Sequence, residues 1–188
     1  MFREMRRKNQ SLDRAECLRI LNERENGVMA LSGDEGYPYA VPLNHVLLDG
    51  KLYFHCATEG HKIDAIRSCD KASFCVIDAD AVDTEIYSTR FRSVIVFGRV
   101  RLVEDAGEKI RALMAIGNRF CPATPEKTDM EVRGALSRTG IIEMEIEHIS
   151  GKESRALAKE RRERTKSFRI ERDMARRERC WRATSVVN

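Results

Sequence analysis

Asp49-Gly50, set between Val46-Leu47-Leu48 and Leu52-Tyr53-Phe54, constrains this chain more than any other pair of residues. Both central residues of a type I′ turn need positive φ, and Asp-Gly tolerates it, so the pair predicts a two-residue β-hairpin. Register follows from the turn. Leu48 should face Lys51, Leu47 Leu52, Val46 Tyr53, His45 Phe54, and Asn44 His55. One face then carries Leu43, His45, Leu47, Leu52, Phe54 and Cys56, and its apolar character predicts a barrel interior. The other carries Pro42, Asn44, Val46, Tyr53 and His55. Pro42 has no N–H to give to a ladder, which predicts an edge or a bulge at its strand.

The second strand runs into Thr58-Glu59-Gly60-His61-Lys62, where a helix with Ile63 and Ile66 on one face begins. A helix N-terminus offers unpaired N–H groups and positive dipole density. Two potentially cationic side chains on its first turn suit it to a phosphate. Lysine there is unfavourable without a compensating anion.

Elsewhere, the spacing of Leu12, Ala15, Leu18 and Leu21 predicts a helix from Leu12 to Glu25, with Ser11 or Asp13 as cap. Strands are predicted from Val28 to Ser32, from Ala72 to Asp78 and from Ser93 to Glu104. Gly98 inside the last of these points to a bulge or a close backbone approach. The polar interval from Ala79 to Phe91 reads as a loop, with or without a short irregular strand. A helix from Ala106 to Arg119 follows, and the stretch from Cys121 to Ser137 is ambiguous. Thr139 to Ile149 alternates Ile142, Met144 and Ile146 with Glu143, Glu145 and Glu147, a half-buried strand with a polar outer face. Strands joined by short turns with few helices between them favour an antiparallel barrel over a parallel α/β sheet.

The chain has 188 residues and a net charge of +4. That charge is uneven: from Gly151 onward there are 13 Lys+Arg against 6 Asp+Glu, and the preceding residues carry 21 against 24. The expected division is a barrel domain over residues 1–150 and a basic helical extension over 151–188. Leu157, Phe168, Ile170, Met174 and Trp181 are too sparse for a continuous apolar stripe, so the extension reads as solvated and frayed. A basic arm wrapping a partner subunit or touching nucleic acid is the alternative. The acidic body argues against nucleic acid. No apolar run is long enough for a membrane span, and no secretory leader is evident, which predicts a cytoplasmic protein. The six cysteines are scattered and read as small buried hydrophobes rather than disulfides, and no metal site is expected.

Three stretches, "YPYAVPLNHVLLDGKLYFHCATEGHKIDAIR", "FRSVIVFGRVRLVE" and the closing strand into "ISGKE", resemble the nitroimidazole-resistance branch of the pyridoxamine 5′-phosphate oxidase-like, FMN-binding split-barrel superfamily. The resemblance covers roughly Arg6 to Lys152. It implies a mainly β fold, a six-stranded antiparallel split barrel with flanking helices. It also implies a homodimer with FMN at the subunit interface, His61 and Lys62 holding the FMN phosphate. Pro42, Leu43, Asn44 and His45 on the first hairpin strand, His55 and Cys56 at the end of the second, and Ser93 would contact the flavin. Oxidase members commonly carry Arg-Lys where this chain has His61-Lys62, and a neutral histidine there binds phosphate more weakly. The carboxy-terminal Arg-Leu-x-Pro segment of true pyridoxamine phosphate oxidases is missing, so pyridoxal phosphate synthesis is not expected. Trp181 lacks the flanking residues of the oxidase's tail tryptophan.

The implied activity is an FMN-dependent oxidoreductase taking electrons from NAD(P)H to a small acceptor, for which a nitroaromatic such as a 5-nitroimidazole is the example. His55 or His45 is the candidate proton donor, since imidazole titrates near neutrality. A non-catalytic split barrel that binds flavin or haem, with His45 and His55 as candidate axial ligands, is the alternative.

Overall fold

The computed structural model describes residues 1–85, 87–121 and 124–167. Its strands are β1 (Ser11–Leu12), β2 (Asn26–Ser32), β3 (Pro38–Asn44), β4 (Val46–Leu48), β5 (Lys51–Cys56), β6 (Lys71–Asp83), β7 (Ser88–Leu102) and β8 (Gly140–Glu153). They form one antiparallel sheet in the order β3-β2-β6-β7-β8-β5-β4, with β1 on β8. β3 and β4 are two legs of one bent strand and β1 is only two residues long, so six long strands carry the expected split barrel. Helices α1 (Arg14–Glu23), α2 (His61–Ser68), α3 (Ala106–Phe120) and α4 (Pro125–Ala135) flank it, and residues 155–167 form a further helix.

The Asp49-Gly50 turn has positive φ at both positions (51° and 79°), and the register of Val46, Leu47 and Leu48 against Tyr53, Leu52 and Lys51 is the predicted one. Past Val46 the prediction fails. β3 leaves β5 and pairs with β2, so Asn44 faces Asn26 instead of His55. The cause is His45, where the chain bends: its N–H donates to the Glu25 carbonyl (3.1 Å), drawing the strand away from the hairpin. β3 is an edge strand, as Pro42 requires.

The interior is packed by Leu21, Met29, Leu52, Phe54, Phe74 and Val94, all essentially inaccessible. A second apolar cluster lies between α3 and the outer side of the barrel, around Val46, Tyr53, Leu113, Ile116 and Ile141. This second layer corrects the reading of β8 as polar on its outer face. Glu143 is only 3% exposed. Its carboxylate accepts from Tyr53 Oη (3.0 Å), Lys51 Nζ (3.0 Å) and Arg101 Nη2 (2.7 Å). Burial opposes its ionisation, but hydrogen bonding with Glu108, Arg101, Lys51 and Tyr53 outweighs that and holds its pKa below the usual carboxylate range.

Two further corrections concern segments without an apolar pattern. The interval from Ala79 to Phe91 is largely strand, because β6 and β7 continue as a hairpin whose tip projects into solvent, with Val82 and Tyr87 exposed. The start of the basic extension is docked on the barrel. β8 continues through residue 153, and the fully buried Glu153 accepts from Arg161 Nε (2.7 Å) and Arg92 Nε (3.1 Å). Ala158 is buried beneath the helix, and Arg90 pairs with Glu160. Phe168, Ile170, Met174 and Trp181 lie outside the described residues.

Gly98 sits where the β7–β8 register shifts, between Phe97 and Gly98, and a Cβ there would lie 1.8 Å from the Glu145 carbonyl oxygen. No side chain fits without moving backbone. Gly98→Ala should therefore destabilise the fold by about 3 kcal/mol or more, read as a lower urea midpoint at unchanged m-value. A midpoint equal to that of the parent protein would show that the bulge yields freely.

Candidate functional site

Alternation along the strands sorts the predicted site residues into two groups. Pro42 pairs with Val28, Val28 with Cys75 and Cys75 with Ile95, so these four share the outward face of the sheet. Asn44 and Ser93 lie two residues along β3 and β7 from Pro42 and Ile95, hence on the same face. His55 is also outward and exposed. Leu43, His45 and Cys56 point inward: Leu43 packs against the core, and Cys56 is 9% exposed. Burial raises the Cys56 thiol pKa, with Lys62 and Lys109 opposing it. At Leu43 and Cys56 only the backbone can meet a ligand on the outer face.

His45 is corrected as a proton donor. It is fully buried against Phe54 and Phe74, and its Nε2 bonds the Leu21 carbonyl near the end of α1 (2.8 Å). Nδ1 is buried without a partner. Burial lowers its pKa to about 4, with the Leu21 bond opposing and the Arg119 charge assisting the shift. The ring is a neutral core group that ties α1 to the bend between β3 and β4.

Helix α2 begins where β5 ends, and its N-terminus differs from those of its neighbours. Asp13 caps α1 through the Glu16 N–H (2.8 Å), Asp105 caps α3 through Glu108 N–H (2.7 Å), and Thr124 caps α4 through Lys127 N–H (3.3 Å). The cap of α2 is Gly60, which has no side chain to offer. Gly60 O takes Ile63 N–H and Asp64 N–H, leaving the N–H groups of His61 and Lys62 as first-turn donors. The His61 ring stacks on Tyr39 of β3 (centroids 4.1 Å apart, planes 19° apart), and its Nε2 lies 3.5 Å from Asp34 Oδ2. That stack fixes the helix start against the edge strand. Half-buried Lys62 stands beside it.

Although Asn44 and His55 are not cross-strand partners, they meet in one cleft of about 810 Å³. The cleft runs under α3 and α4, whose Leu113, Ile116, Phe120 and Val132 make its wall mainly apolar. Lys127, Thr128 and Glu131 supply polar groups, and the Thr128 hydroxyl is buried without a partner. Such a cleft, apolar with a few convergent polar groups, suits a flat small molecule. The α4 wall lies in the stretch left ambiguous by sequence. Thr124-Pro125, a capping residue followed by proline at the first helical position, was the available signal.

A family model described as pyridoxamine 5′-phosphate oxidase matches residues 13–153. A candidate 5-nitroimidazole antibiotic resistance protein of Bacteroides thetaiotaomicron is similar in structure, with 23% identity over 76% of this chain and 85% of that one and a TM-score of 0.65. A conserved hypothetical protein of Mycobacterium tuberculosis, Rv2991, shares 18% identity over 82% of this chain and 92% of its own, with a TM-score of 0.72. An FAD and haem binding protein of Mycobacterium smegmatis shares 25% identity over 78% of this chain and 74% of its own, at a TM-score of 0.67. No curated protein matches the sequence.

His45 gives the fold a pH dependence of known sign. Its folded pKa of about 4 lies below the ordinary histidine value, so the unfolded chain binds the proton more tightly. The stabilisation is present above about pH 6.5 and is lost as pH falls toward the folded pKa. Unfolding free energy should drop by about 2 kcal/mol from pH 7 to pH 5 through this residue alone. In His45→Leu, urea titrations at both pH values should show that increment gone, and an undiminished slope would assign it to other groups.

Proposed function

The chain belongs to the pyridoxamine 5′-phosphate oxidase family, and on that premise we propose that it is an FMN-dependent oxidoreductase. It takes electrons from NAD(P)H and passes them to a small acceptor, with a nitroaromatic such as a 5-nitroimidazole as the model substrate. The observation that carries this reading is the start of α2, which lacks a capping side chain and bears Lys62 beside His61, whose ring stacks on Tyr39 of the edge strand β3. A phosphate there would accept from the free N–H groups and the lysine, satisfying donors that the chain itself leaves open.

The residues fit the cofactor. His61 and Lys62 hold the phosphate. Pro42, Asn44, His55 and Ser93 offer outward side chains to the ring system, and Leu43 and Cys56 contribute backbone. When bound, the flavin supplies the redox chemistry, and the protein supplies position and electrostatics. His55 is the remaining candidate to hold or deliver a proton at the mouth of the cleft. The apolar wall from α3 and α4 excludes water from that mouth and gives a flat acceptor a surface to lie on.

A homodimer is part of the proposal, and the outer face of the sheet supports it. Val28, Ile77, Ile95 and Phe97 are exposed side by side with Pro42 and Ser93. A second copy laid on this face would remove that apolar surface from water and enclose a ring resting there. The protein is proposed to act in the cytoplasm. Among the described residues no helix is long and apolar enough to cross a membrane.

A flavin- or haem-binding protein without turnover is the second reading, favoured by the FAD and haem binding named for the Mycobacterium smegmatis neighbour. Haem has less support in this chain, because of the two candidate axial ligands His45 is inside the core and His55 alone faces outward.

Absorbance spectroscopy and FMN titration separate these outcomes. Purified protein should take up FMN and turn yellow, and NAD(P)H should bleach it. Lys62→Ala should lose one charge-assisted contact, about 1.5–3 kcal/mol, and weaken FMN about ten- to a hundredfold. A Soret band would favour haem. Unchanged affinity in the variant would move the phosphate elsewhere.

A further inference from the structure

A second concentration of positive charge lies away from α2, in a groove of about 560 Å³ between the N-terminal segment and the helix of residues 155–167. Arg6 and Arg7 line one side. Arg155, Lys159, Arg162 and Lys166 line the other, and among the described residues Glu163 is the only acidic one in the lining. The helical four fall at i, i+4, i+7 and i+11, one face of a helix, spread over about 16 Å.

The groove is built into the fold. At its base Gln10, 5% exposed, donates through Nε2 to the Glu153 carbonyl (2.9 Å) and accepts from Arg7 Nη1 (3.4 Å). Arg162 Nη2 donates to the Asn9 carbonyl (2.7 Å), and Arg161 is clamped to Glu153, so both walls are fixed to the end of β8.

Most of these cations have no carboxylate partner among the described residues. On the barrel, Arg19, Arg24, Arg90, Arg92, Arg99 and Arg101 are each engaged by at least one carboxylate. Among the described residues, only Lys159 of the groove's six cations has such a contact, to Glu163 at 3.9 Å. Residues 168–188 carry six arginines against three acidic residues, so that segment carries no net negative charge to offset the groove. Six like charges held in one groove repel one another, and an anion from outside relieves the repulsion.

We propose that this groove binds a small molecule carrying two or more phosphate groups, of about nucleoside-triphosphate size. The volume falls in the range of small-molecule clefts, and guanidinium forks are matched to phosphate oxygens. Among the described residues no aromatic side chain lines the groove, so within them recognition rests on the phosphates. This site is independent of the flavin reading.

Calorimetric titration of the full chain with inorganic tripolyphosphate, adenosine triphosphate and adenosine monophosphate tests it. Both triphosphates should bind, with affinity falling as salt rises, and the monophosphate at least tenfold more weakly. Arg155→Gln combined with Lys159→Gln should weaken triphosphate binding at least tenfold. The double variant should keep or raise the unfolding midpoint, since it removes repulsion, which separates lost binding from lost folding. Lys62→Ala should leave triphosphate affinity unchanged. Triphosphate binding that survives the double change, or disappears with Lys62→Ala, would overturn the proposal. Binding seen only with oligonucleotides, and growing with their length, would also overturn it in favour of a nucleic-acid backbone.

Discussion

A β-strand has two hydrogen-bonding edges, and the way β8 uses its two edges determines most of this structure. One edge pairs with β7 from Ile142 to Glu153. The other serves two partners in turn, β5 along Gly140 to Met144 and β1 at Gly151 and Lys152. The β7 and β5 pairings carry the sheet across β8, and the β1 pairing brings the N-terminal segment against it. A strand this long can serve all three only if it bends, and the bulge opposite Gly98 supplies the bend. The ends of β8 carry two buried carboxylates, Glu143 and Glu153, each engaged by arginine. Such pairs add little net stability, but removing one partner strands a buried charge at a cost of about 3–5 kcal/mol. They therefore fix what can pack at each end of the strand: α3 over Glu143, the basic helix over Glu153.

The legibility of these features in sequence follows how local their causes are. Asp49-Gly50 fixes its own turn, Gly98 marks a contact only glycine survives, and the period of α3 is carried by its own residues. The bend at His45 is different. It exists because His45 N–H reaches the Glu25 carbonyl and its ring reaches that of Leu21, some twenty residues upstream. The local hairpin register stops there because a tertiary bond overrides it. Glu143 is buried for a related cause: alternation tells which side a residue faces but not whether a helix covers that side.

The candidate site shows the same division. Its outward set of Pro42, Asn44, His55 and Ser93 is a matter of strand parity, readable once the strands are known. The cleft that joins Asn44 to His55 depends on α3 and α4 crossing the outer face, and α4 has too mixed a composition for periodicity to reveal. The resemblance to flavin-binding proteins names residues on both faces, and burial sorts them: Leu43, His45 and Cys56 serve the core with their side chains.

Charge counting along the chain conceals the same distinction between local and tertiary cause. Read as a block, the basic extension is simply the positive part of the molecule. In the fold, Arg161 is spent on Glu153, as Arg92 is on Asp78 and Glu153, and such cations are unavailable to a ligand. Among the described residues, Lys62 at the start of α2 and the stripe from Arg155 to Lys166 have no comparable buried carboxylate partner. An anion-binding surface is defined by the cations the fold leaves over after its own acids are satisfied, so a mildly acidic barrel and a basic extension can each present one. The two are not equivalent. The proposed α2 site would add oriented backbone N–H groups to a single lysine, an arrangement for one phosphate in one place. The groove opposes six side chains to one another and favours charge spread along a ligand.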